Sequence, residues 1–566
     1  MFNVKNRVRM KSCTSIWLWL AVLLFSVQSL GSERTDVAYV TLLYGDEFLL
    51  GIRVLGKSIR DTGSNKDMVV LVSDGVSDYA NNVLEADGWI IEKISLLANP
   101  NQVRPTRFWG VYTKLKIFNL TDYKKGLVFM ILVLFLESGY GSFVYLDADT
   151  IVVKNIEDLF KCGKFCANLK HSERLNSGVM VVQPSAAVFN DMMSKVNTLP
   201  SYTGGDQGFL NSYYSGFPNA HIFEPNLTPE MLENRPVPEM ERLSTLYNAD
   251  VGLYMLANKW MVDENELRVI HYTLGPLKPW DWWTSWLVKP VDVWQNVREQ
   301  LQESLPGTKG GQNPKDYFLV NFLFLLPFCA VLFFSYRSFL KNQGYYGSCY
   351  RNSRDHIRQL YYRIKSGGPI VYAPISSSTI SSTHQLIEGA QNKVPAYLDI
   401  ISVCVCLLAA VASLGLAFLI VPRQVAPWTG FLLVYEWIFT IFITLFGSYL
   451  NLIYQWGKIL ASHTPSSFTH PESSDEDSGK GHQRQMSSCN AATWFYGLGM
   501  ALLAIAAPCL PFIFGITALF LRLGLMVVGG VILVSFMTYS SEHLAIRSFV
   551  KGFEERDVAR KASFCC

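Results

Sequence analysis

The chain has 566 residues, of which 50% are hydrophobic and 17% are charged, and its formal net charge is +3. This length exceeds one ordinary domain, and the apolar fraction is too high for a wholly soluble protein of that size. A near-neutral charge without a stripe of lysine and arginine argues against a nucleic-acid-binding protein. The long apolar runs lie at the N-terminus and after residue 316, so we expect a soluble unit followed by a membrane unit.

The first 31 residues have the order of a targeting segment. Basic residues precede an apolar run from Ile16 to Val27, and the small residues Ser29 and Gly31 follow that run. This order predicts a secretory signal peptide over 1–31, with an uncleaved signal anchor as the alternative. Both alternatives place the residues that follow in the lumen of the secretory pathway.

Residues 34–300 alternate between short apolar strands and helical segments, which predicts an α/β domain. The predicted strands are Val37–Leu43, Met68–Val72, Val144–Leu146 and Gly178–Val182. Such continuously apolar strands are typical of a mostly parallel sheet whose two faces are both covered by helices. Ligands of these sheets bind at the carboxyl ends of the strands, so polar residues at those ends are candidate site residues.

A membrane domain is predicted over 318–539, because five apolar stretches there are each about long enough to cross the hydrocarbon core of a bilayer. The five stretches are 318–336, 397–421, 428–454, 494–514 and 519–537. The loop from Arg337 to Ala396 carries eight lysines and arginines, and the positive-inside rule makes it cytoplasmic. We therefore expect a lumenal soluble domain, five spans and a cytoplasmic tail over 540–566.

Two aspartates follow the predicted strand Val144–Leu146, one residue apart. Carboxylates in this arrangement can hold a divalent cation whose remaining ligands are diphosphate oxygens, so Asp147 and Asp149 are candidate metal ligands. The alternative is a pair of turn-forming aspartates. A neutral imidazole at His271 completes a manganese-type ligand set, and Lys278 can neutralise a leaving diphosphate. The alternative for the segment around Lys278 is an aromatic-rich loop that only packs on the domain.

Six blocks of residues follow one another between Val37 and Trp294. They are Val40–Leu42 with Val54–Gly56, Thr113–Leu115, Tyr145–Asp149, Asn176–Gly178, Gly205–Gln207, and His271 with Gly275–Trp280. In this order the blocks resemble glycosyltransferase family 8, in its plant glycogenin-like branch. The resemblance implies a nucleotide-sugar-binding glycosyltransferase A-type α/β domain over 34–300, here followed by the multispan α-helical membrane domain. It also implies a UDP-sugar as the donor substrate and Mn²⁺ as the cofactor.

The resemblance also implies a role for individual positions of this sequence. Residues expected at the nucleotide and its phosphates are Leu42, Tyr44, Phe48, Arg104, Lys114, Ala148, Gly275 and Lys278. Residues expected to bind the metal are Asp147, Asp149 and His271. Residues expected at the sugar pocket are Asn176, Asp206 and Gln207. The expected catalytic residues are Asp206, Gln207 and Lys278.

The plant branch includes glucuronosyltransferases, and several membrane spans suit an enzyme whose acceptor lies in the bilayer. The implied function is metal-dependent, retaining transfer of glucuronate from UDP-glucuronate to inositol phosphorylceramide in sphingolipid synthesis. We expect the enzyme in the Golgi membrane as a multi-pass protein with a lumenal catalytic domain. One alternative is a glucuronosyl- or other hexosyltransferase that acts on a polysaccharide such as xylan, or on a protein. Another alternative is a transporter with a degenerate lumenal domain.

Residues 126–142 separate Lys114 from Asp147 and depart from the family pattern. The apolar run Leu127–Leu136 inside this segment is too short to span a membrane. We interpret 126–142 as an insertion, with an additional buried strand or helix as the alternative.

A few lumenal side chains carry narrower expectations. Arg174, with Lys170 behind it, is a candidate for binding the carboxylate of glucuronate, and the alternative is a solvated loop charge. Cys162 and Cys166 predict either a local disulfide or two buried thiols. Asn119 begins an Asn-Leu-Thr sequence, which is a glycosylation sequon.

Overall fold

The computed structural model describes residues 37–101, 109–121, 141–170, 172–226, 230, 235–273, 275–304, 317–333, 336, 395, 397–463 and 479–564. The predicted signal segment 1–31, Arg104 and residues 126–140 of the predicted insertion lie outside these described residues. The chain divides into two compact units. One comprises the residues up to Pro279 together with 290–311, and the other comprises 280–289 and the residues from Gln312 onward.

The first unit is built on an eight-stranded sheet with the order β3-β2-β1-β4-β7-β6-β9-β8. Its strands are β1 Ala38–Leu43, β2 Asp67–Ser73, β3 Ile90–Ile94, β4 Phe143–Leu146, β6 Phe165–Leu169, β7 Leu175–Val182, β8 His221–Ile222 and β9 Met240–Leu243. The four predicted strands correspond to β1, β2, β4 and β7. The prediction of an α/β domain with a mostly parallel sheet is therefore confirmed.

Strand β7 makes the sheet mixed, because it runs antiparallel to both of its neighbours, β4 and β6. A tight turn joins β6 to β7, in which the N–H of Lys170 donates to the carbonyl of Arg174. So short a connection can only join antiparallel strands. All eight residues of β7 are buried. Its continuously buried sequence is typical of a central parallel strand, although β7 runs in the opposite direction.

A second sheet of three strands lies beside the first, with the order β10-β11-β5. It consists of β5 Thr150–Val152, β10 Ala249–Asp250 and β11 Val269–His271. Strand β5 begins only four residues after the end of β4, and it pairs antiparallel with β11 so that Thr150 lies opposite His271. The short connection between β4 and β5 therefore lies next to the end of β11.

Helices cover both faces of the large sheet, with α1 Leu49–Asp61 and α2 Asp78–Ala86 on one face and α3 Ala186–Lys195 and α4 Asp206–Tyr213 on the other. Three further helices follow: α5 Val251–Ala257, the short α6 Thr284–Leu287, which belongs to the second unit, and α7 Val291–Ser304. Ile52, Leu55 and Ile59 recur on one face of α1 and are fully buried in the same apolar cluster as Val70. Burial of each such side chain stabilises the fold by roughly 1.5–3 kcal/mol. Cys162 and Cys166 form a disulfide.

The second unit is helical. Its long helices are α8 Tyr317–Phe333, α9 Leu398–Ile420, α10 Pro427–His463, α11 Gly479–Ile513 and α12 Leu519–Phe564. Four apolar stretches are long enough to cross a membrane, and α8 is a shorter apolar helix. The four stretches are Leu398–Ile420, Pro427–Ala461, Thr493–Ile513 and Leu519–Glu555. The chain is thus a multi-pass membrane protein, as its hydropathy predicts.

Candidate active site

Two carboxylates and an imidazole meet at one edge of the sheets. Asp147 and Asp149 lie between β4 and β5, and His271 is the last residue of β11. Nε2 of His271 lies 3.4 Å from Oδ1 of Asp149 and 4.0 Å from Oδ2 of Asp147. One ligand atom from each residue lies within 4.8 Å of the other two. This set of oxygen and nitrogen ligands fits a divalent transition-metal ion such as Mn²⁺.

The backbone after β4 explains why both carboxylates lie beside the imidazole. The N–H of Asp147 donates to the carbonyl of Gly178 on β7 at 2.8 Å, and the N–H of Thr150 donates to the carbonyl of Asp147 at 3.0 Å. The N–H of Tyr272 donates to the carbonyl of Asp149 at 2.9 Å. The turn is therefore held from both sheets.

Gly178 packs directly against the imidazole of His271. A Cβ added at this glycine would lie 2.0 Å from Cε1 and 2.6 Å from Nδ1 of the ring. Any side chain at this position would displace His271 from Asp149. The glycine of the Asn176–Gly178 block is therefore required by the close approach of the ring.

A buried lysine joins the first carboxylate to the start of α4. Nζ of Lys114 lies 2.9 Å from Oδ1 of Asp147 and 3.1 Å from Oδ2 of Asp206. Burial alone would lower the pKa of Lys114, but the charges of Asp147 and Asp206 outweigh it and raise this pKa above its ordinary value. Lys114 therefore stays cationic and keeps two neighbouring carboxylates from repelling each other.

Lys278 reaches the second carboxylate from the loop that follows β11. Its Nζ lies 2.5 Å from Oδ2 of Asp149. Burial alone would raise the pKa of Asp149, but the charges and hydrogen bonds of Lys278 and His271 outweigh it and lower this pKa well below its ordinary value. Gly275, in the same loop, has a φ of +61°, which favours glycine. A glycine turn thus brings Lys278 to an ionised Asp149.

The residues predicted for the sugar pocket lie on β7 and α4. Nδ2 of Asn176 donates to Oε1 of Gln207 at 3.0 Å, and Nε2 of Gln207 donates to the hydroxyl of Tyr202 at 2.9 Å. The hydroxyl of Ser177 donates to Asp206 at 2.8 Å. Because β7 is antiparallel, its amino end lies at the edge where β1 and β4 have their carboxyl ends. The reversed strand therefore brings Asn176 to the same edge as Asp147, Asp149 and His271.

Asn248, which no motif in the sequence marks, links the imidazole to this pocket. Its Oδ1 lies 3.0 Å from Nδ1 of His271, and its Nδ2 donates to Oδ1 of Asn176 at 2.9 Å. Nζ of Lys170 donates to the carbonyl oxygen of Asn248 at 2.9 Å. The contact with Nδ1 leaves Nε2 as the ring nitrogen that faces the carboxylates, as in many metal sites. A single asparagine before a short strand gives no signal that sequence analysis can use.

The residues expected at the nucleotide lie at the carboxyl end of β1. Leu42 is buried in this strand, and the ring of Tyr44 follows it at 4.9 Å from the ring of Phe48. Burial first, and then the charge of Asp147, raise the pKa of Tyr44 above its ordinary value. Ala148 is half-buried between the two aspartates. The predicted residues that the structure describes therefore lie along one edge.

The two cations considered for the sugar carboxylate have different surroundings. Arg174 is exposed, and its guanidinium carbon lies 3.9 Å from the ring centroid of Tyr202. Lys170 is largely buried, and its Nζ lies 3.6 Å from Oδ2 of Asp250. Burial lowers the pKa of Lys170 although Asp250 opposes this shift. Lys170 therefore supports Asn248 from within the fold, whereas Arg174 lies on the surface next to a pocket side chain.

Two carboxylates that could hold a metal ion, an imidazole beside them and two lysines along one edge of a mixed α/β sheet suit an A-type glycosyltransferase, and the chain is an enzyme of this class. No family model matches the chain. The chain is 64% identical over 564 residues to inositol phosphorylceramide glucuronosyltransferase 1 of Arabidopsis thaliana. The matched region covers 99% of both chains. It belongs to the inositol phosphorylceramide glucuronosyltransferase family, within glycosyltransferase family 8.

More distant relatives match about half of the chain. A putative UDP-glucuronate:xylan alpha-glucuronosyltransferase 5 of Arabidopsis thaliana is 33% identical over 50% of this chain and 47% of its own. Glycogenin-1 of Mus musculus is 30% identical over 44% of this chain and 66% of its own. A solved galactosyltransferase in complex with donor and acceptor sugar analogs is 15% identical over 47% of this chain and 100% of its own, with a TM-score of 0.32.

Proposed function

We propose that the chain transfers glucuronate from UDP-glucuronate to inositol phosphorylceramide, with retention of the anomeric configuration. The observation that carries this proposal is the 64% identity, over 99% of both chains, to a protein of that name. The name of the relative at 33% identity also specifies UDP-glucuronate as donor. Glucuronate is therefore the sugar that relatives with two different acceptors have in common.

The metal ligands in this proposal are Asp147, Asp149 and His271. A bound Mn²⁺ would act as a Lewis acid on the donor diphosphate. Lys278 would bind the same diphosphate as a point charge, and Lys114 would hold Asp147 and Asp206 in place. Because the set includes an imidazole, Mn²⁺ should restore the activity of chelator-treated enzyme better than Ca²⁺. Equal restoration by Ca²⁺ would contradict the assignment of His271 as a ligand.

Arg174 is the residue that we propose for the glucuronate carboxylate. It lies two residues before Asn176, and its guanidinium stacks on Tyr202, whose hydroxyl binds Gln207. In an assay with several UDP-sugars, Arg174→Ala should lower the ratio of kcat/KM for UDP-glucuronate to that for UDP-glucose by roughly tenfold, since hydrogen bonds between charged groups contribute about 1.5–3 kcal/mol. Lys195→Ala, at an exposed cation on α3, is the control. An unchanged ratio would leave Arg174 as a solvated loop charge.

The contacts within the helical unit support five membrane crossings. The N–H of Trp282 donates to the carbonyl of Arg423, just after α9, and Arg522, near the start of α12, donates to the carbonyl of Trp286. The segment 280–289, the end of α9 and the start of α12 therefore lie at one end of this unit. The chain has to cross once between this segment and the start of α9, and α8 is the apolar helix that the structure describes in that interval.

We further propose that this end of the helical unit is lumenal and that the enzyme resides in the Golgi membrane. The disulfide between Cys162 and Cys166 supports an oxidising compartment for the soluble unit. Asn119 is exposed at the end of a 3₁₀ turn and begins a glycosylation sequon. Enzymatic removal of N-glycans should therefore increase the electrophoretic mobility of the wild-type chain. The increase should be smaller for Asn119→Gln by the contribution of one glycan. Resistance of the glycan to endoglycosidase H would support passage through the Golgi, and a chain without glycan at Asn119 would contradict the proposed orientation.

The acceptor can be tested with radiolabelled UDP-glucuronate and membranes that contain the full-length chain. The reaction is divided into lipid, polysaccharide and protein fractions. We expect label in the lipid fraction, only when inositol phosphorylceramide is present, and not with Asp149→Ala. Label in the polysaccharide or protein fraction would instead support the alternative acceptors, xylan or a protein.

A further inference from the structure

An aromatic segment of the chain is built into the end of the helical unit. Trp282 is 4% exposed and stacks on Phe418 of α9, with ring centroids 5.5 Å apart. A Cβ at Gly430 of α10 would lie 2.3 Å from Cγ of Trp282, so the two helices leave a space that the indole fills. The ring of Trp286 contacts Trp428, Phe431 and Phe512 at centroid distances of 4.8, 4.8 and 5.1 Å. The segment 280–289 is therefore a fixed part of this unit.

An exposed cation lies on this aromatic surface. The guanidinium carbon of Arg423 is 5.9 Å from the ring centroid of Trp283, within the range of a cation–π contact. Among the residues that the structure describes, no carboxylate forms an ion pair with Arg423. Its backbone is anchored to the aromatic segment, because its carbonyl accepts the N–H of Trp282 at 3.0 Å. The site thus presents an exposed positive charge without a protein counter-ion among the described residues.

We propose that Arg423, beside the ring of Trp283, binds the phosphodiester of the membrane-lipid acceptor. The surface lies at the end of the membrane helices, and tryptophan is enriched at this depth, where lipid headgroups lie. Arginine is the side chain best suited to a phosphate, because its planar fork donates two parallel hydrogen bonds. The proposal rests on the proposed function, since it names the binding site of that acceptor's phosphate.

The kinetic test uses the full-length protein in lipid nanodiscs, with Arg423→Ala and Arg423→Lys. We expect Arg423→Ala to raise KM for the lipid acceptor by about tenfold or more, given the usual strength of charge-assisted hydrogen bonds. KM for UDP-glucuronate and the slow hydrolysis of UDP-glucuronate by water should stay unchanged. The KM of Arg423→Lys for the lipid acceptor should lie between those of wild type and Arg423→Ala. The control is Arg547→Ala. Arg547 lies 25 residues after Arg522 in α12, which corresponds to about 37 Å along the helix at 1.5 Å per residue.

A binding measurement separates this inference from the proposed function. Native mass spectrometry of the detergent-solubilised full-length chain should detect retained phosphatidylinositol, and Arg423→Ala should lose it, whereas retention of diacylglycerol should be weak in both. Equal retention by Arg423→Ala and wild type, or an unchanged KM for the lipid, would overturn the site. Displacement of phosphatidylinositol by inorganic phosphate alone would identify a site for a soluble anion and would overturn the lipid assignment. Retention that depends on Arg423 without any transfer to inositol phosphorylceramide would leave the site standing and reject the proposed acceptor.

Discussion

The two units of the chain bury polar groups in different ways. In the α/β unit, Lys114, Asp206 and His271 are buried and bind side chains from other elements of the fold. In the helical unit, the hydroxyl of Ser413 donates to a carbonyl three residues earlier in the same helix, and the hydroxyl of Ser402 lies 2.7 Å from that of Tyr449 on the neighbouring helix. The first pattern joins distant parts of the chain into one site, whereas the second consists of separate contacts within one helix or between two helices.

This difference indicates which residues can be changed without loss of function. Each member of a connected buried network depends on its partners, so substitutions in the α/β unit should act together and reduce catalysis. Hydroxyls that bond within their own helix carry no such coupling. Several buried polar atoms of the helical unit have no hydrogen-bond partner among the described residues, and the indole Nε1 atoms of Trp282 and Trp286 are two of them. Substitutions in the α/β unit test whether its network behaves as a connected site.

The largest effect is expected for Asp149→Ala. This substitution removes a proposed metal ligand and the partner of Lys278 without emptying an apolar core. A metal that supplies several kcal/mol to the transition state corresponds to a loss of roughly 10³-fold in kcat/KM. The control is Asp191→Ala on α3, where the carboxylate is 45% exposed and binds Lys195. Turnover within tenfold of wild type at saturating Mn²⁺ would reject Asp149 as a ligand.

Gly178→Ala should be the next most severe change. The added Cβ would lie 2.0 Å from Cε1 of His271, so the ring has to move away from the carboxylates. Displacement of about 1 Å in a catalytic group typically costs on the order of 10²-fold in rate. Gly216→Ala is the matched control, because the nearest atom to its Cβ is Cε of Met240 at an ordinary 3.8 Å. Near wild-type kcat in a folded Gly178→Ala enzyme would show that the position of the imidazole does not limit the reaction.

Asn248→Ala should weaken metal binding more than it weakens folding. The substitution removes the contact with Nδ1 of His271 and the hydrogen bond to Asn176. Loss of an outer partner of a metal ligand usually lowers metal affinity by about 10–100-fold. Titration of Mn²⁺ monitored by the thermal stability of the UDP-bound protein should show this shift, with Asn219→Ala, at an exposed turn, as the control. A parallel loss of thermal stability without any change in Mn²⁺ affinity would make Asn248 a purely structural residue.

The smallest effect is expected for Gly275→Ala, which tests the turn that carries Lys278. Its φ of +61° costs a residue with a side chain about 1–2 kcal/mol, and no atom lies within 4 Å of the added Cβ. We expect a few-fold rise in KM for UDP-glucuronate as the loop relaxes. Gly63→Ala has the same kind of strain at a φ of +81° at the end of α1, so it should lose similar stability with unchanged KM. Equal KM values for UDP-glucuronate in the two variants would show that the turn at Gly275 does not contribute to donor binding.

The sequence predicted the α/β fold, the membrane helices and the family, because apolar periodicity and ordered short blocks are local signals. Asp147 and His271 are far apart in the chain, and only their known order within the family suggested that they meet. The reversed direction of β7 and the role of Asn248 could not be predicted, since both depend on pairing between strands distant in sequence. The docking of Trp282 into the space at Gly430 depends on helix packing, which hydropathy does not encode.

The most direct test of the central claim is mass spectrometry of the lipid recovered after the reaction. Purified full-length protein in vesicles of inositol phosphorylceramide would receive UDP-glucuronate and Mn²⁺. We predict that the lipid gains one glucuronosyl unit, and that Asp149→Ala and omission of the metal both abolish the gain. UDP release without any change in the mass of the lipid, or the same gain with Asp149→Ala, would contradict transfer to this lipid by the site at Asp147, Asp149 and His271.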